Sequence, residues 1–115
     1  MNGRVGTTLL SQSDRVRVWM ITVGPGERVP AHRHVLDYFW TALAPGVSVQ
    51  HTSDGTTRRV SYERGTTKHF TFRRGEYLLH DLENAGTDNL TFVTVEFLDS
   101  ANAPFPLTDT SEEES

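Results

Sequence analysis

Apolar residues recur at every second position in several short stretches of the chain, and no stretch sustains the spacing of a helix face. Residues 15–23 read RVRVWMITV, rich in β-branched and aromatic side chains, and stop at Gly24-Pro25-Gly26, which predicts a strand followed by a turn. Further strands are predicted over 28–34, interrupted only by Pro30, and over 36–43, ending at Ala44-Pro45-Gly46. Proline fits strand entrances and edges, where no ladder hydrogen bond is needed from its nitrogen. Residues 47–52 and 58–62 flank Asp54-Gly55, a strong hairpin signal because both residues tolerate a positive φ. Strands at 68–72, 77–80 and 90–98 complete the set, separated by Arg73-Arg74-Gly75 and by residues 84–88. Many short strands punctuated by glycine and proline describe an antiparallel sandwich or barrel, and no internal repeat points to a propeller.

Length and composition narrow this to one domain with one site. The chain has 115 residues, and 36% hydrophobic content supports one modest core. The formal charge of -4 comes partly from Glu112, Glu113 and Glu114, so the folded part is nearer neutral. Basic residues are scattered, as in Arg58-Arg59, without the aromatic-interleaved stripe of a nucleic-acid surface. With no cysteine, disulfides, thiolate metal sites and thiol nucleophiles drop out, and any metal must take nitrogen or oxygen ligands. No apolar run has the length of a signal peptide or a membrane span, so the expected setting is cytoplasmic, with neither nucleic acid nor membrane as partner. We divide the chain into an N-terminal segment or edge strand (1–14), a barrel (15–107) and a disordered acidic tail (108–115), with Phe105 and Leu107 available to dock on the barrel or a partner subunit.

His32 and His34 stand two residues apart in a predicted strand, so both imidazoles project from one face and can share an ion. Imidazole suits zinc, iron, copper and nickel, and a third ligand from a distant strand would leave open positions for water or substrate. His80, near the end of a strand far along the chain, is the candidate. Taken alone, a His-x-His pair is more often an ordinary surface or core pair than a metal site.

The surrounding residues resemble the two motifs of the cupin superfamily. The first, G-x5-H-x-H-x3-4-E-x6-G, is met by Gly26, His32, His34 and Gly46, but its two glutamate positions hold Tyr38 and Phe39. The second ends in P-x-G-x2-H-x3-N. His80 and Asn84 match its last part, whereas Gly75, Tyr77 and His69 replace its proline and two glycines. The stretch LTFVTVEF (90–97) is similar to the strand that follows the motif histidine. The string from His32 to Tyr38 is loosely similar to small cupins associated with beta-alanine degradation. The resemblance spans roughly residues 16–97 and implies an all-β, antiparallel double-stranded β-helix, a divalent transition metal (Fe, Zn, Ni or Mn) at His32, His34 and His80, and a homodimer.

Without the glutamate, three neutral nitrogens would leave the ion nearly its full positive charge, which favours an anionic or chelating substrate. The expectation is therefore a metal-binding cupin, leaning to an enzyme of oxygenase, isomerase or lyase type; the alternatives are a non-catalytic binding or accessory cupin, or a metal-free histidine acid–base enzyme. Tyr38, with the parity of the two histidines, is the candidate catalytic group, either hydrogen-bonding the substrate or acting as an acid, against the plainer reading of a buried barrel tyrosine. Asp37 has the opposite parity and is expected outside, in a surface or interstrand ion pair, unless a bulge turns it inward. Of the neighbours Gln50 and His51 only one can face the interior, and His51 is expected exposed; His69 is expected on the surface rather than as a fourth ligand. Glu96 is expected to face solvent or to pair with an arginine such as Arg17.

Overall fold

The structure is a computed structural model that describes residues 8–104. The expected acidic tail, Phe105 and Leu107 lie outside the described residues, as do the first seven. Nine strands and no helix form among the described residues: β1 (Thr8–Gln12), β2 (Val16–Val23), β3 (Arg28–His34), β4 (Tyr38–Ala42), β5 (Gly46–His51), β6 (Thr57–Tyr62), β7 (Thr67–Phe70), β8 (Leu78–Asn84) and β9 (Leu90–Phe97). They pair antiparallel into a five-stranded sheet, β1-β2-β9-β4-β7, and a four-stranded sheet, β3-β8-β5-β6. This is the expected double-stranded β-helix. No helix among the described residues is long and apolar enough to cross a membrane.

Alternation along each strand decides what lies between the sheets. In β2 and β9, buried and half-exposed residues alternate almost without break, and the two strands pair over their full length from Val16↔Phe97 to Val23↔Leu90. Ile21, Val23, Ala42, Tyr62, Leu82, Leu90 and Phe92 form the core. Trp40, Tyr62 and Phe92 meet edge to face with centroids 4.9 to 5.4 Å apart, a favoured arrangement that closes one end of the interior. Gly46 is needed for close approach: a Cβ there would run into the buried Leu90 side chain.

Three local expectations change. Only Gly55 of the hairpin pair has a positive φ, 86°. Asp54 serves instead as an acceptor for the Thr52 hydroxyl and the Thr56 amide, bonds that hold its carboxyl down at about 2. The strand expected to end at His80 continues to Asn84, because Asp81, Leu82 and Glu83 find partners on the neighbouring strands. Glu96 does not face solvent. It is 3% exposed, receives the Trp19 indole N–H at 2.7 Å and stands opposite Arg17 in the ladder. Burial pushes its carboxyl up to about 6, against the opposing pull of Trp19 and Arg17.

Candidate metal centre

A bulge in the edge strand β3 sets the geometry. Val29 pairs with Leu82 and His32 with His80, so one extra residue is accommodated around Pro30, which has no N–H to give the ladder. The Pro30 carbonyl accepts the His32 Nδ1–H at 2.9 Å, which turns the His32 Nε2 toward the interior. Beyond the bulge the period-two parity brings His34 to the same face, and both histidines are 3% exposed.

His80 comes from β8. Its Nδ1–H is accepted by Gln50 Oε1 at 2.9 Å, while the Gln50 amide donates to the Tyr62 hydroxyl at 3.2 Å and that hydroxyl pairs with Ser48 at 2.8 Å. This chain fixes the Gln50 amide and leaves His80 Nε2 free to act as a ligand. On the outer face of the same strand, Asp81 accepts the His51 amide at 2.8 Å, the His51 ring at 3.1 Å and Arg28 Nε at 3.0 Å, tying β8 to both neighbours. Burial alone would raise the Asp81 carboxyl; His51 and Arg28 outweigh it and hold it down.

One ligand atom from each of His32, His34 and His80 lies within 4.8 Å of the others. His34 Nε2 and His80 Nε2 are 3.1 Å apart. Two nitrogens each about 2.1 Å from one ion, at roughly 90–110° to one another, stand about 3.0–3.4 Å apart, so the pair matches a shared metal. Burial lowers the basicity of all three rings. For His34 the neighbouring His32 and His80 add to it, and His80 is brought down to about 3. The rings are therefore neutral near pH 7, the form that binds metal.

His34 differs from the other two because its Nδ1 is buried without a hydrogen-bond partner. Its ring is held by stacking instead: it lies on Tyr38 at 4.2 Å and 11°, and Tyr38 lies on Phe70 at 4.6 Å and 8°. Tyr38 is itself 2% exposed, and burial drives its hydroxyl far above the ordinary phenol range, so it is a neutral donor near pH 7.

A cavity of about 340 Å³ adjoins the cluster, a size suited to a small molecule. His32, His34, Tyr38, Gln50 and His80 line it together with Trp40, Leu82 and Phe92. Asp37, Asp81, His51 and His69 do not. The Asp37 carboxylate accepts the Phe72 amide at 2.9 Å rather than forming the expected ion pair, His69 packs on Phe39 outside, and His51 is half-exposed against Asp81. Sequence reasoning missed Tyr62, Arg58 and Lys68 as lining residues. They alternate inward along their strands, but only the register shows which end of each strand reaches the cavity.

Fold, bulge and histidine cluster together define a double-stranded β-helix with a His-lined interior cavity. No protein-family model matches the chain, and no curated protein matches it by sequence. Solved structures do. A cupin domain from Bordetella pertussis Tohama I is 25% identical over 84% of this chain and 94% of its own, with a TM-score of 0.68. An RmlC-like cupin from Methanocaldococcus jannaschii is 19% identical over 90% and 83%, at 0.62. A cupin-superfamily sugar phosphate isomerase from Silicibacter pomeroyi DSS-3 is 19% identical over 73% and 51%, at 0.52. The chain has the double-stranded β-helix fold of cupin-superfamily proteins.

Proposed function

We propose that the protein holds one divalent transition metal (Fe, Zn, Ni or Mn) on His32, His34 and His80, and acts on a small anionic or chelating metabolite as a metal-dependent enzyme. The convergence of His34 Nε2 and His80 Nε2 to 3.1 Å beside a cavity carries this reading. Bound there, the ion would supply Lewis-acid or redox chemistry. The chain's own residues do the rest. The Pro30 carbonyl and Gln50 orient two ligands, Trp40, Leu82 and Phe92 exclude water, and Tyr38 offers its hydroxyl proton to the ligand. The nearer likeness to beta-alanine-degradation cupins rests on one short string and adds no substrate.

Protein purified without an affinity tag is expected to carry about one equivalent of transition metal by elemental analysis, as a three-ligand site requires. Alanine at His32, His34 or His80 is expected to remove it while circular dichroism still reports the barrel. Metal retained by all three variants overturns the assignment.

Tyr38 gives a second test, because its ring and its hydroxyl are separable. Tyr38→Phe keeps the stack on His34 and is expected to keep the metal while lowering turnover about 10²-fold, the scale of a lost proton donor. Tyr38→Leu removes the stack as well, and is expected to lower metal affinity about tenfold or more, as when a ligand's supporting contact is lost. Equal metal affinity in the two variants rules out the supporting role.

One observation favours a second reading, a non-catalytic binding or accessory cupin: no carboxylate lines the cavity among the described residues, and the lining histidines are poor proton carriers near pH 7. Oxygen uptake and product formation across a panel of acids, thiols and diketones separate the two. Tight binding with no turnover across the panel selects the binding protein. The low basicity of His80 also counts against a metal-free histidine acid–base enzyme.

A further inference from the structure

β6 and β7 are the edge strands of different sheets and do not pair with each other. Lining residues on these strands, Arg58, Ser61, Thr67 and Lys68, are exposed, so the cavity meets solvent between them. Arg58 stands opposite Gln50 in the β5–β6 ladder, and Gln50 holds His80. The Lys68 ammonium sits 5.2 Å from the Phe70 ring centre, and Phe70 stacks on the Tyr38 that supports His34. Two cationic lining residues thus lie at the opening, one on each edge strand. The ion pairs of the described residues, Arg28–Asp81 and His51–Asp81, include neither of them. No Asp or Glu lines the cavity among the described residues, since Glu96 is turned to Trp19 and Asp81 lies on the outer face of β8.

We propose that Arg58 and Lys68 form an anion-binding subsite at this opening, which takes the carboxylate or phosphate group of a small organic acid whose remainder lies in the cavity. The subsite deepens the reading of the cavity as a small-molecule site and rests on it, but does not require the metal. Guanidinium and ammonium donors bind such groups through charge-assisted hydrogen bonds, and the low-dielectric cavity wall focuses their field on the opening.

The test uses protein stripped of metal with EDTA and follows tryptophan emission, since Trp40 lines the cavity. Inorganic phosphate and succinate are titrated at constant ionic strength beside the neutral diamide of succinate. Saturable binding of at least one anion is expected, weaker by about tenfold in Arg58→Gln and in Lys68→Gln and lost in the double variant, the scale of a lost charge-assisted contact. Arg74→Gln, at an exposed position away from the cavity, is expected to bind like the wild type. The tighter anion tells a phosphate source from a carboxylate. The proposal is overturned if neither anion binds, if the diamide binds as well as succinate, if the double variant keeps wild-type affinity, or if Arg74→Gln weakens binding equally. Anion binding by protein that takes up no metal would leave the subsite standing and remove the metal assignment; metal uptake without anion binding does the reverse.

Discussion

Zinc at about a hundred times its Kd is expected to raise the melting temperature of the chelator-treated protein by roughly 10–20 °C, because a ligand bound only by the folded chain at that ratio adds about 2.7 kcal/mol and a domain of this size gains about 4–8 °C per kcal/mol. The three neutral rings are already gathered within 4.8 Å, so little reorganisation opposes binding. His34→Ala is expected to abolish the rise. The variant also loses a buried ring and its stack on Tyr38, so its metal-free melting point falls too. For that reason the measured quantity is the difference between zinc-loaded and chelated protein, by differential scanning calorimetry. His69→Ala, on the outer surface, is expected to keep the full rise. Equal zinc-induced shifts in His34→Ala and wild type would falsify the assignment.

Glu96→Gln is expected to gain about 2 kcal/mol of stability relative to the wild type as the pH is raised from below 4.5 to 7. A carboxyl that titrates at about 6 in the fold and near its ordinary 4.5 in the unfolded chain keeps its proton longer when folded. Its contribution is therefore fully present below 4.5 and is lost as the pH rises through about 6. Glutamine stays neutral throughout and still offers an oxygen to the Trp19 indole. Burial lowers the three histidines, so their contribution runs the other way and weakens as the pH falls below 6.5, but it is common to both proteins and cancels in the difference. Urea denaturation of both proteins from pH 4 to 7.5 measures it. A difference that does not change with pH would show that Glu96 titrates alike in the folded and unfolded chain.

The same residue shows how far the sequence can be read. Period-two parity places Glu96 on the face of Phe92 and Thr94, and that face is the buried one; its charge argued for solvent or for an arginine such as Arg17, which does stand opposite it, while nothing local announces the Trp19 indole 77 positions away. Parity also unites His32, His34 and Tyr38, and the resemblance of His80 and Asn84 to the end of the second cupin motif supports the candidate third ligand. The shared face of His32 and His34 was legible because it depends on the backbone repeat alone. The choice between Gln50 and His51, the Arg58 and Lys68 positions and the length of β8 depend on register between strands far apart in the chain. Asp81-Leu82-Glu83 falls outside the strand expected over 77–80, because the partners that hold it, His51 and Arg28 on Asp81, come from distant strands.

The pairing of β3 with β8 and of β2 with β9 also orders events during synthesis. His34 leaves the ribosome 46 residues before His80, and the strand that closes the first sheet, β9, comes later still. With no helix among the described residues to form early and the longest ladder joining residue 16 to residue 97, folding is governed by slow, non-local closure. Until β8 emerges, the proposed site of a nascent chain consists of the His32–His34 pair alone, two nitrogens that a borderline cation would occupy weakly. Under the proposed metal assignment, the third nitrogen arrives only when β8 pairs with β3, so selection among metals would be deferred to the moment the barrel shuts.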